Sequence, residues 1–179
     1  MKKRWVLLPL SFVLVLALLI GGLIIYIAPS KQLTMDYTPI KLEDKLLGMV
    51  RNLSTDLVLT ESDINALLKA NMNRQPHKQL TIEGAHFTLQ DNILYADLNV
   101  LLADRVPAEL HASYVVTWHD PELKLQPVGL KVKGLTLPVS WLNEITFPIY
   151  DADETLIVID RLYTQGNELV IKLKLSLFR

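Results

Sequence analysis

Val106-Pro-Ala-Glu-Leu-His-Ala-Ser-Tyr-Val-Val-Thr-Trp118 places Val106, Ala108, Leu110, Ala112, Tyr114, Val116 and Trp118 on one side of an extended chain. Glu109, His111, Ser113 and Thr117 fall on the other. A period of two sustained this long is the pattern of a strand with one buried face. At ~3.4 Å per residue the stretch reaches roughly 40 Å, about twice a typical strand. A long strand of this kind needs long neighbours, and the flanking sequence supplies them.

Upstream, Leu94, Ala96, Leu98, Val100 and Leu102 alternate in the same way, with turns expected at Asp91-Asn92 and Asp104-Arg105. Before them, Leu80 and Ile82 keep one phase while Phe87 and Leu89 keep the other, which predicts a bulge at Gly84. Downstream, Leu123 and Leu125 give way to Val128, Leu130 and Val132, and the phase change predicts a second bulge at Pro127 to Gly129. Gly134 to Pro138 leads to a short helix over Val139 to Ile145, and Pro148 interrupts the chain. Thr155–Tyr163 and Glu168–Leu177 read as a final hairpin about Gln165-Gly166-Asn167.

One good helix precedes the strands. Thr60 with Asp63 forms a capping signal, Glu61 adds acid to the first turn, and Ile64, Leu67, Leu68 and Met72 recur at helical spacing. Glu43 to Asn52 can form a turn or two of helix before it. The expected fold is α+β: a long curved antiparallel sheet packed with one main helix and a short second one.

The start of the chain is of a different character. Lys2, Lys3 and Arg4 precede 24 uncharged residues, Trp5 to Ala28, of which sixteen are Leu, Ile, Val or Phe. As a helix this run is ~36 Å long, enough for a hydrocarbon core of ~30 Å. The three basic residues predict a cytoplasmic N-terminus and an extracytoplasmic remainder. The run exceeds the ~7–15 apolar residues of a signal peptide, and Tyr26-Ile27-Ala28 puts a bulky residue where cleavage needs a small one, so an uncleaved single-pass anchor is expected. Trp5 and Tyr26 stand where interfacial aromatics stand, and Gly21-Gly22 offers a weak helix-packing face. The expected division is residues 1–4 as cytoplasmic start, 5–28 as anchor, 29–42 as stalk and 43–179 as the extracytoplasmic domain.

Composition removes several function classes. Beyond the three basic residues the chain holds 15 Lys+Arg against 19 Asp+Glu, a net charge of about −4. A nucleic-acid partner needs a basic face and is not expected. Zero Cys removes disulfides, thiol catalysis, thiolate metal sites and a lipoprotein-type anchor. It also suits a bacterium that does not rely on disulfides.

No cofactor, metal or catalytic assignment follows from the motifs. His77, His86, His111 and His119 form no H-E-x-x-H or H-x-H pattern, and no G-x-S-x-G or phosphate-binding Gly loop occurs. Asp151, Asp153 and Glu154 lack the Gly and the distal Glu of a Ca²⁺-binding loop and read as a solvated turn. Asn52-Leu53-Ser54 matches a glycosylation acceptor, a triplet frequent by chance. An enzyme would need a cluster such as His111 or His119 with Asp97 or Asp104.

The apolar stripe has two readings. It is core beneath the helix, or part of it is an acyl-chain groove, because a helix of about 13 residues is only ~20 Å long and leaves the rest of the strand uncovered. Leu98, Val100, Leu110, Tyr114, Val116 and Trp118 would line such a groove.

The order of elements, with Leu59-Thr-Glu-Ser-Asp-Ile-Asn-Ala-Leu-Leu68 and Gly134-Leu-Thr-Leu-Pro-Val-Ser-Trp-Leu142, resembles the YpmS-like family of single-pass extracytoplasmic proteins of Gram-positive bacteria, which has no established activity. The helix motif and alternating strands are also similar to bacterial tubular lipid-binding domains, and that similarity implies lipid binding. The expectation is therefore a non-catalytic lipid-handling module of the cell envelope, tethered to the cell membrane. The alternative is an adaptor that docks on an envelope enzyme or secretion component and holds no small ligand.

Overall fold

The structure is a computed structural model describing residues 3–40, 45, 48, 54–119, 122–148 and 157–175. The acidic loop Asp151–Glu154, most of the helical turn expected over 43–52, Lys2 and the Asn52-Leu53 part of the acceptor triplet lie outside the described residues. Helix α1, Lys3–Ile27, holds Arg4 and Trp5 in its first turns. Its Leu10–Ile27 portion is long and apolar enough to cross a membrane, and none of it is buried.

The domain begins with β1, Asp56–Leu59, and α2, Glu61–Asn71. Thr60 caps α2 through the reciprocal bonds expected of it. Its hydroxyl accepts from the Asp63 N–H, and the Asp63 carboxylate accepts from the Thr60 N–H at 2.8 Å. Such a cap stabilises a helix by ~1 kcal/mol. Lys45 pairs with the same carboxylate. Burial pushes the pKa of Asp63 up, but the hydrogen bonds from Lys45 and Thr60 outweigh it and leave the pKa below the usual value.

Four long strands follow: β2 Leu80–Gln90, β3 Ile93–Leu102, β4 Val106–His119 and β5 Glu122–Val132. They pair antiparallel in sequence order. Both expected bulges are present. The β2–β3 register shifts between Ile82 and Gly84. In β5, Gly129 pairs with Ser113 and Pro127 with Tyr114, so Val128 is the extra residue. Asp91 and Asn92 both have positive φ, the backbone of a two-residue hairpin turn. The next turn carries its positive φ at Ala103 and Asp104, one residue earlier than expected.

Two short strands share the free edge of β5. β6, Leu135–Thr136, pairs with Lys131–Val132, and β7, Ile145–Pro148, pairs with Glu122–Leu125. Between them the expected short helix is a single 3-10 turn, Val139–Trp141, and Ile145 belongs to β7. Leu142 donates to Val139 O, an i→i−3 bond. The six residues between Pro138 and β7 leave no room for a longer helix.

The last hairpin, β8 Ile157–Gln165 and β9 Glu168–Leu175, does not extend the long sheet. It forms a separate three-stranded sheet ordered β1-β9-β8. Leu57, Leu59, Ile159, Leu169 and Ile171 from that sheet join Ile64 of α2 and the even-numbered stripe of β4 in one core. The stripe of β4 shares its core with a second sheet as well as with α2.

Candidate functional site

The two faces of the long sheet differ in chemistry. On the inner face, cross-strand pairs Leu98–Leu110, Val100–Ala108, Leu94–Tyr114 and Val116–Leu125 stack apolar on apolar. The six residues singled out as a groove lie here. Leu98, Val100, Leu110, Tyr114 and Val116 are only 0–7 % exposed, and Trp118 is partly buried against the same core. The first five are packed by protein side chains and present no open surface. Burial also pushes the pKa of the Tyr114 hydroxyl up.

On the outer face, residues 30–36 cross the strands. Their order of contact is the order of the sheet. Ser30 donates from its N–H (2.7 Å) and its hydroxyl (2.6 Å) to Glu109 of β4. Asn99 of β3 donates to Lys31 O at 2.7 Å. Leu33 lies on Gly84 of β2, where a Cβ would sit 2.0 Å from Leu33 O. Ala85 N–H then donates to Thr34 O, Met35 enters the core, and Lys69 of α2 donates to Asp36 O. Over this stretch the expected stalk is a strap. The bulge at Gly84 thereby has a second purpose, because only a residue without a side chain lets the strap lie this close.

The strap also closes the open edge of β2. Thr34 O serves Ala85, and the Asn65 amide of α2 serves both backbone groups of Phe87, accepting from its N–H at 2.8 Å and donating to its carbonyl. Backbone groups left unpaired at an edge invite another strand, and these are occupied.

Glu109 is the hub where the strap begins. Its Oε2 takes Ser30 and Lys133 (2.8 Å), and its Oε1 faces His111 Nε2 at 3.3 Å. Burial raises the pKa of Glu109, but the hydrogen bonds from Lys133 and Ser30, with the Lys133 charge, bring it down to about 2. His111 Nδ1 meets Asp97 at 2.7 Å, its direct cross-strand partner.

The structure therefore joins His111 with Asp97, while His119 is exposed at the end of β4 and Asp104 accepts from Thr81. The His111–Asp97 pair has the look of a catalytic dyad, but both ring nitrogens face carboxylates. Neither is turned to a nucleophile, and Ser30 bonds Glu109 rather than the ring. Among the described residues no group of three or more His, Asp or Glu is placed to hold a metal.

Sequence reasoning missed Ser30, Asn99, Glu109 and Lys133, the residues that hold the strap. Asn99 gave no signal of this in sequence: its burial on the polar face is visible only with the strap in place.

The junction with α1 is close-fitting. Ile27 packs on the core, the end of α1 lies against β4, and a Cβ on Gly134 would stand 3.6 Å from Tyr26 Oη. No protein-family model, curated protein or solved structure matches this chain.

Proposed function

We propose that this is a single-pass membrane protein whose extracytoplasmic domain serves as a non-catalytic adaptor, held in a set attitude to the bilayer for a protein partner of the cell envelope. The strap carries this reading. A domain that captures mobile substrate gains from a slack tether, whereas residues 30–36 remove slack by binding β4, β3, β2 and α2 in turn. The basic start Lys2-Lys3-Arg4 supports a cytoplasmic N-terminus. Membership of the YpmS-like family is part of the same reading and rests on the motifs of residues 59–68 and 134–142.

The test is photo-crosslinking in cells from exposed Tyr95, Val128 or Tyr163. One dominant protein adduct is expected, and it should disappear when a flexible Gly-Ser insert between Ala28 and Pro29 uncouples the span from the strap. Adducts unaffected by the insert, or no protein adduct at all, overturn the adaptor.

Lipid handling is the second reading, favoured by one observation. Trp118, Leu123, Leu137, Leu142 and Ile145 are apolar and only partly buried; Trp118, Leu123 and Ile145 lie on β4, β5 and β7 where those strands pair, and Leu137 and Leu142 lie on the connection from β6 to β7. An acyl chain could enter at that seam. Native mass spectrometry of the full chain, released from detergent, decides it: a stoichiometric lipid adduct supports this reading, and a bare chain removes it.

A further inference from the structure

The stretch Gly134–Asn143, GLTLPVSWLN, contains no charge, and Lys133 and Glu144 bound it. It forms the β5–β6 turn, β6 and the 3-10 turn. Leu135 is 55 % exposed and Trp141 67 % exposed, although each is large and apolar. Isolated exposed apolar side chains are ordinary on protein surfaces. What distinguishes Leu135 is its neighbour: Gly134, next to it in the chain, lies against Tyr26 at the end of α1.

Tyr26 closes the apolar run, at the level where a span leaves hydrocarbon for headgroups. Consecutive Cα atoms are ~3.8 Å apart, so Leu135 stands at almost the same height. Trp141 follows on the same excursion, which Leu137 N–H pins to Leu130 O. Trp is the side chain best suited to this zone, with an apolar ring and one N–H for water or a headgroup. Lys131, exposed and paired with Thr136 of β6, adds a cation beside the stretch.

We infer that residues 134–143 are a second, peripheral contact with the bilayer that α1 crosses, with Leu135 and Trp141 inserted in the interfacial layer. The inference rests on the reading of α1 as a span. Together the two contacts set the tilt of the domain: a single helix leaves it free to swivel, and a second point some residues away does not. The strap then transmits that orientation to the far edge of the sheet.

The chain has no Cys, so single cysteines report cleanly. The full chain is reconstituted in vesicles of phosphatidylcholine and phosphatidylglycerol whose acyl chains are brominated, with an environment-sensitive fluorophore at Leu135→Cys, Ser140→Cys or Trp141→Cys. Leu19→Cys in α1 reports the span, and Gln90→Cys, at the hairpin remote from α1, reports solution. Bromine quenching several-fold stronger at 135 and 141 than at 90 is expected. If 19 is quenched while 135, 140 and 141 behave like 90, the peripheral contact is overturned and the span stands. If 19 is not quenched either, the span reading fails and this inference fails with it.

Discussion

The inner and outer faces of the four long strands are held by different forces. The inner face is sealed by area: Leu89, Val100 and Ile171 are essentially inaccessible, and α2 and the second sheet contribute to one core with them. The outer face is crossed by seven residues whose attachment is directional, made of hydrogen bonds to Glu109, Asn99 and Ala85 and one close backbone approach at Gly84. Hydrophobic burial tolerates small shifts and ignores pH. Directional contacts do not tolerate shifts, and the one at Glu109 also depends on ionisation. Stability of the domain should therefore reside on the inner face, and its attachment to α1 on the outer.

The comparison breaks most visibly at Leu89. Leu89→Ala removes a fully buried side chain from the inner face and should cost ~2–5 kcal/mol of global stability, read by denaturant unfolding. A loss below 1 kcal/mol would mean that the inner face is not the seat of stability.

Gly84→Ala attacks the outer face alone. The new Cβ would fall 2.0 Å from Leu33 O and 2.3 Å from Leu33 C, backbone atoms with no free rotation to escape. Overpacking of this kind costs ~1–3 kcal/mol. The strap should lift from β2, and faster amide exchange at Ala85 should accompany intact protection in β3 and β4. Uniform loss of protection across the sheet would show that strap and core are one cooperative unit.

Glu109→Gln gives the smallest and most selective effect. Glu109 has a folded pKa of about 2 against an ordinary 4.5, so its ionised form favours the folded, strapped state. That contribution is complete above about pH 4.5 and is lost as the pH falls from there through about 2. The stability difference between wild type and Glu109→Gln should be constant near neutral pH and shrink across that window. A difference independent of pH would mean that Lys133 and Ser30 do not hold the carboxylate.

Much of the long sheet was legible in the sequence because its signals are local. Alternation from Val106 to Trp118, the phase changes at Gly84 and Val128, and Thr60 with Asp63 each declare their structure within a few residues. The strap was illegible because most of its contacts use backbone. Carbonyls of Lys31, Thr34 and Asp36 carry no side-chain code, and the polar composition of 29–42 resembles that of a spacer. The second sheet was missed for its range: Leu57 pairs with Ile171, and no window of sequence sees both. The groove reading was drawn without the sheet that shares the core of β4. The His111–Asp97 pair was named as a requirement for catalysis, and register supplied it, as directly opposed residues of β3 and β4 beside the strap's hub.

The order β1-β9-β8 also dictates a sequence of events in time. Among the described strands, the central one of that sheet, Glu168–Leu175, comes latest in the chain, while one of its neighbours, Asp56–Leu59, comes earliest. During synthesis the early strand has no partner in that sheet until more than a hundred further residues have been added. The strap, by contrast, can seat as soon as β4 has formed. The domain would thus be moored beside its helix well before its core is closed, and β9 acts as the latch that joins β1 to β8.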